Sequence, residues 1–174
     1  MPVLGSTIDS ENLTLTFTAE FSSPIERVWQ VWADPRQLER WWGPPTWPAT
    51  FGRFEFSVGG RADYFMTGPD GTTAHGWWKF TAIDEPTLLA LEDGFANADG
   101  TPIDESDTTS TVANLEPIEA GTLMTVTATF KDLEQLEKLV RMGMQEGMAS
   151  AMGQLDAVLA SQSNFEGIGD APLY

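Results

Sequence analysis

The chain has 174 residues, 41% hydrophobic and 20% charged, which is enough apolar material for one globular domain with a sizeable core. Nine basic residues against 26 acidic ones leave a formal net charge of -17, which repels phosphate backbones and anionic bilayers, so nucleic acids and membrane surfaces are excluded as partners. There is no cysteine and a single histidine, His75, which removes disulfides, thiolate metal sites and cysteine nucleophiles and suits a reducing, cytoplasmic setting.

The segment from Met1 to Leu13 is polar, with no basic leader and no long apolar run, and reads as a flexible lead. Leu13, Leu15, Phe17, Ala19 and Phe21 then alternate with threonines, the period-two signature of a strand with one buried face. Ser23-Pro24-Ile25-Glu26 supplies a cap, a proline and a glutamate ahead of Val28, Trp29 and Trp32 at helical spacing. Asp34-Pro35 repeats the device for a second short helix carrying Leu38, Trp41 and Trp42, which Gly43-Pro44-Pro45 stops.

From Thr50 to Phe130 the chain is rich in Val, Phe, Trp, Thr and Leu, and turn signals at Gly59-Gly60, Pro69-Asp70-Gly71, Asp84-Glu85-Pro86 and Glu119-Ala120-Gly121 divide it into six meandering strands. Asn97 to Asp107 reads as a long polar loop between two of them. Asp132, with Gln135 three residues on, caps a final helix whose apolar positions run from Leu133 to Val158, roughly 30 residues or about 45 Å. Ser161 to Tyr174 reads as a loose tail, so residues 13–160 form the core of a single domain spanning 1–174.

Gly143 and Gly147 stand inside that helical pattern, where each costs about 1 kcal/mol relative to alanine. Accepting the cost twice on adjacent turns implies close backbone approach or empty space beside the helix, and the flanking methionines suit an adaptable apolar wall. The wheel puts Gly147 near the centre of the apolar face and Gly143 on its flank, while Met142 points away. This helix is therefore read as one wall of a cavity.

Several motifs in this order resemble one family: Pro24-Ile25-Glu26-Arg27-Val28-Trp29, Asp34-Pro35, Trp41-Trp42-Gly43-Pro44, Gly59-Gly60-Arg61, Gly68-Pro69-Asp70-Gly71, Gly76-Trp77-Trp78, Glu92-Asp93-Gly94-Phe95 and Gly143-Met144-Gln145-Glu146-Gly147-Met148. The chain is similar to the START-like helix-grip superfamily (SRPBCC). Within it, the chain resembles bacterial homologues of the C-terminal domain of the activator of heat-shock protein 90 ATPase. Met148 departs from the tryptophan that many members carry there. The resemblance implies an α+β helix-grip fold: a curved antiparallel sheet of about seven strands around a long C-terminal helix, with two short helices after strand 1. It implies no shared catalytic residue, because relatives include ligand carriers, cyclases, dehydratases and chaperone regulators, and fold alone does not assign activity.

The function expected is binding of a small hydrophobic molecule between sheet and last helix, with Trp41, Trp42, Trp78, Phe80, Met144, Gly147, Met148 and Ala151 as its contacts. Alternation in the strand from Ala74 to Ile83 turns Trp78 and Phe80 inward and Trp77 outward, where it either marks a homodimer contact or simply covers part of the sheet, unless a one-residue bulge reverses the faces. Glu92 and Asp93, adjacent on a strand, send one carboxylate inward and one outward, with Arg53 or Arg61 as candidate partners. The alternative reading is a cofactorless cyclase or dehydratase that uses the inward carboxylate, Glu92 or Asp93, as general acid or base, and binding without chemistry is favoured over it. His75 falls on the polar face, and no Gly-x-Ser-x-Gly elbow accompanies it.

The stretch around Gly100 fails as a calcium loop, because Phe95 and Ser106 occupy the key carboxylate positions. No metal and no cofactor are expected. A chaperone partner is the third reading. Eukaryotic activators carry an additional N-terminal domain for which this chain has no room, which counts against it.

Overall fold

The computed structural model describes residues 3–161. Eight strands form one antiparallel sheet: β1 (Val3–Asp9), β2 (Thr14–Phe21), β3 (Ala49–Phe54), β4 (Arg61–Thr67), β5 (Thr73–Asp84), β6 (Leu88–Phe95), β7 (Thr108–Ile118) and β8 (Gly121–Thr129). Their spatial order is β1-β2-β8-β7-β6-β5-β4-β3, so the last six strands are a meander and β2 closes against β8. Helices α1 (Ile25–Ala33) and α2 (Pro35–Leu38) follow β2, and α3 (Leu133–Arg141) and α4 (Met144–Met152) follow β8. The architecture is the α+β helix-grip expected, with eight strands rather than seven.

The additional strand is β1, where a flexible lead was expected. Asp9 accepts hydrogen bonds from the backbone N–H of Glu11 and Asn12 and from the Asn12 side chain, and this turn folds β1 back onto β2. Residues 5–8 are all exposed, and Gly5, Ser6 and Thr7 carry no apolar alternation that would betray a strand. The expected tail, apart from Ser161, lies outside the described residues.

The two short helices form where expected, with one difference in capping. The first begins after Pro24, which occupies the cap position itself, and Ser23 makes no capping bond. Asp34 does cap the second, accepting from the Arg36 N–H at 2.9 Å with Pro35 as the first helical residue. Both helices bury their apolar faces: Val28, Trp29, Val31, Trp32 and Leu38 are almost wholly inaccessible. Trp32, Trp41, Trp42 and Trp78 pack edge to face in a chain of contacts with ring centroids 4.8–5.9 Å apart, the arrangement aromatic quadrupoles favour.

The long C-terminal helix is interrupted where the sequence pattern runs through. Met142 ends α3, and Gly143, at φ 91, adopts the left-handed conformation that starts α4. A second break at Gly153 and Gln154 precedes helical turns at 155–161, whose Leu155, Val158 and Leu159 are core residues. The Gln154 side chain uses this break to donate to the carbonyls of Gly43 (2.7 Å) and Trp41 (3.3 Å), tying the C-terminal segments to the end of α2. Leu155, Val158 and Leu159 are buried in the same apolar core as the tryptophan cluster.

Candidate functional site

Under α3 and α4 lies a cavity of about 520 Å³, with walls that are predominantly apolar. Trp42, Pro44 and Trp47 form the side nearest α2, Met66 and Phe95 come from the sheet, and Leu139, Met144, Gly147 and Met148 form the helical side. A side chain begun at Gly147 would meet nothing within 4 Å. Of the two explanations for an interior glycine, close backbone approach and empty space, the geometry selects empty space. Gly143 has the separate role of breaking the helix, and Met142, largely exposed, reaches the rim.

Four of the eight expected contacts line this space: Trp42, Met144, Gly147 and Met148. The other four do not. Trp41, Trp78, Phe80 and Ala151 are at most 1% exposed and lie in the packed core beside the cavity. Trp41 was displaced from the expected site by its own hydrogen bond, the indole N–H donating to Val31 O at 2.9 Å, which turns the ring toward α1. Phe80 faces inward as alternation requires, but packs against Phe54 and Phe56.

Register explains which polar groups reach the cavity. Ala62, Trp78, Asp93 and Thr109 are successive cross-strand partners and share the inner face, and Tyr64, Gly76 and Phe95 form the next row. Asp93 is therefore the inward carboxyl and Glu92 the outward one. The Tyr64 hydroxyl donates to Asp93 Oδ1 at 3.1 Å, crossing above β5 at Gly76, where a Cβ would come within 2.4 Å of the tyrosine ring and hydroxyl. Thr109, 6% exposed, lines the cavity beside Asp93.

Burial pushes the Asp93 carboxyl up to about 7, and the neighbouring charge of Glu92 adds to the rise. The Tyr64 hydroxyl and the Trp78 indole temper it, although the Trp78 N–H finds no hydrogen bond of ordinary geometry. Burial, together with the Asp93 charge, also holds the Tyr64 phenol well above its usual range. The Trp42 indole N–H, at the same end of the cavity, is also buried and likewise finds no hydrogen bond of ordinary geometry, although it lies close enough to Tyr64 to temper the rise of the phenol. The polar end thus combines a carboxyl able to hold or release a proton near neutral pH with hydroxyl and indole groups that are donors.

Neither arginine reaches this carboxyl. Arg53 pairs with Glu55 at 3.2 Å, and the Arg61 guanidinium lies 4.7 Å over the Trp77 ring. Glu92, on the outer face, accepts from the hydroxyls of Thr108 and Ser110 instead. Trp77 also sits on the outer face, and the bulge in β5 falls after Phe80, too late to reverse the tryptophans. It is only 3% exposed, packed on Gly94 and beneath Arg61 within its own chain, so the expected dimer contact has no surface there. His75 faces outward, within 3.0 Å of the Thr73 hydroxyl and against Phe65.

Tyr64, Thr109, Trp47 and Met66 were not foreseen as cavity residues. For Tyr64 and Met66 a signal existed, since alternation with Ala62 assigns all three to one face of β4. Recognising that Tyr64 reaches Asp93 needs the register of three strands. Among the described residues, no helix is long and apolar enough to cross a membrane.

Comparison with known proteins agrees with this architecture. The family model described as activator of Hsp90 ATPase homolog 1-like protein matches residues 22–160. A solution NMR structure of a protein from Arthrobacter aurescens is 53% identical, with a TM-score of 0.87 over 91% of this chain and 92% of that one. A crystal structure from Mycobacterium smegmatis is 44% identical, with a TM-score of 0.83 over 91% and 97% of the two chains. One from Nitrosomonas europaea is 25% identical, with a TM-score of 0.78 over 90% and 99%. No curated protein matches the chain. The chain belongs to the activator of Hsp90 ATPase homolog 1-like family, within the helix-grip superfamily.

Proposed function

We propose that this member of the family binds a small, mainly hydrophobic molecule in the cavity between the sheet and the C-terminal helices. The observation that carries the reading is the empty space at Gly147. A helix interior accepts a glycine at a cost of about 1 kcal/mol, and here no packing partner accounts for it. Adaptable methionines at 144 and 148 flank the space, and an apolar pocket with a few polar anchors is the usual form of a small-molecule site. The absence of cysteine fits a cytoplasmic setting.

A thermal-shift screen of lipophilic compounds, followed by native mass spectrometry of the hits, tests this reading. Binding that disappears in Gly147→Leu while the fold persists supports it. Silence in both measurements removes it.

A second reading is favoured by one specific contact. Asp93 and Tyr64 converge at 3.1 Å on the cavity wall, and Asp93 is poised near neutrality, the pairing a cofactorless acid–base enzyme needs. Product formation from a bound ligand, lost in Asp93→Asn, would establish it. The family's name concerns a chaperone ATPase, and that association comes to this chain as a proposal tested by pulldown with a bacterial Hsp90.

A further inference from the structure

We propose that the ligand of this cavity is a lipophilic amine, held as its ammonium cation with Asp93 as counter-ion beside the rings of Trp42 and Tyr64. The inference rests on the binding reading above and names the chemistry of the molecule bound.

The argument begins with the charged groups that face the cavity. Among the described residues lining it, Asp93, Asp107 and Lys138 are the ionisable ones besides Tyr64. Asp107 is already engaged, by Lys131 at 3.1 Å and by the Gln135 amide at 3.0 Å. Lys138 is exposed at the rim. Glu92, next in sequence to Asp93, is turned to the opposite face and satisfied by two hydroxyls. Among the described residues, Asp93 has neutral neighbours only, the Tyr64 hydroxyl that donates to it and the Trp78 indole, and no salt bridge to a cation.

A carboxyl kept in an apolar wall without a cation is a standing electrostatic cost, and a ligand that supplies the cation relieves it. The surroundings suit an ammonium in particular. Trp42, Tyr64, Trp47 and Phe95 line the same space, and aromatic faces attract cations through their quadrupoles. The chain's net charge of -17 draws cations toward the protein and repels fatty acid anions.

The proton balance is simple. An alkylammonium stays charged from pH 6 to 8, so its binding requires the ionised form of Asp93 and releases the proton that Asp93 holds when free. With the free carboxyl near 7, lowering the pH from 8 to 6 reduces the ionised fraction, and with it the apparent affinity, about tenfold.

The test compares octylamine, 1-octanol and octanoate, which share one apolar body and differ in head group, by isothermal titration calorimetry in about 150 mM salt to screen long-range charge. The wild-type chain at pH 8, where Asp93 is largely ionised, is expected to prefer the amine over the alcohol by at least about tenfold, with octanoate weakest, and at pH 6, where Asp93 is largely protonated, to release close to one proton on binding the amine. Asp93→Asn is expected to bring amine and alcohol within about threefold of each other, while Glu92→Gln, altering the carboxylate on the other face, leaves the preference intact. Equal amine and alcohol binding by the wild type, preferential octanoate binding, a preference that survives Asp93→Asn, or one lost equally in Glu92→Gln would each overturn the amine assignment and leave the cavity a binding site. If none of the three binds, the cavity reading fails and the inference falls with it.

Discussion

Tyr64 and Asp93 meet at 3.1 Å across an intervening strand, and they do so because Gly76 leaves the tyrosine ring room to lie over β5. Tyr64 is paired with Gly76 and Asp93 with Trp78, so the contact is diagonal over three strands. Gly76→Ala should force the ring off this path, because its Cβ would stand 2.4 Å from the ring. The expected cost is about 1–3 kcal/mol from overpacking. Because the Tyr64 hydroxyl holds the Asp93 carboxyl down, both Gly76→Ala and Tyr64→Phe should move the Asp93 titration above about 7, as followed by carbon-13 NMR of the carboxyl.

Asp93 should also leave a signature in the pH dependence of stability. Its folded-state value is raised by burial, so the native state holds a proton that the unfolded chain has lost. Its contribution is therefore fully present below about pH 4 and is lost as the pH rises through about 7. Asp93→Asn, which removes the buried ionisation, should match the wild type at pH 4 and exceed it by about 2–4 kcal/mol at pH 8. Urea unfolding of both proteins across that range measures the difference, and a gap that does not change with pH would contradict the assignment.

The two glycines of the helical wall should respond to alanine with opposite signs. Gly147 has helical neighbours and open space, so Gly147→Ala should stabilise the chain by about 0.5–1 kcal/mol. Gly143 sits at φ 91, so Gly143→Ala should cost about 1–2 kcal/mol even though nothing lies within 4 Å of its Cβ. Thermal unfolding of the two variants side by side distinguishes them.

The start of α3 supplies a further test. Asp132 accepts from the Gln135 N–H at 2.8 Å, and the Gln135 side chain reaches back to the Lys131 N–H at 2.8 Å and across to Asp107 at 3.0 Å. Asp132→Ala should cost about 1 kcal/mol by chemical denaturation. Gln135→Ala should cost more, because it also removes the hydrogen bonds that the amide gives to Asp107 and to the carbonyl of Thr108.

Much of this is legible in the sequence. Alternation in β2 and β5, the cap at Asp34 and the cap at Asp132 are local devices, decided by residues within a few positions of one another, and each appears where the sequence places it. The split between an inward Asp93 and an outward Glu92 follows from strand periodicity alone, although which of the two turns inward does not. The glycine pair announced that something was unusual about the last helix. Neither glycine revealed which was a break and which a void, because a sequence pattern carries no φ angle and no distance.

What only the tertiary structure decided is how the aromatic residues divide between core and cavity. Trp41 and Trp42 are adjacent, both strongly apolar and both expected at the site, yet one is held by the Val31 carbonyl and the other faces the cavity. Trp77 and Trp78 are both buried, on opposite faces of one sheet. Hydrophobicity determines that such side chains leave water, and periodicity determines which face of an element they take. Whether that face meets packed side chains or open space depends on how α2, α3 and α4 cross the sheet, a long-range outcome that local sequence does not encode.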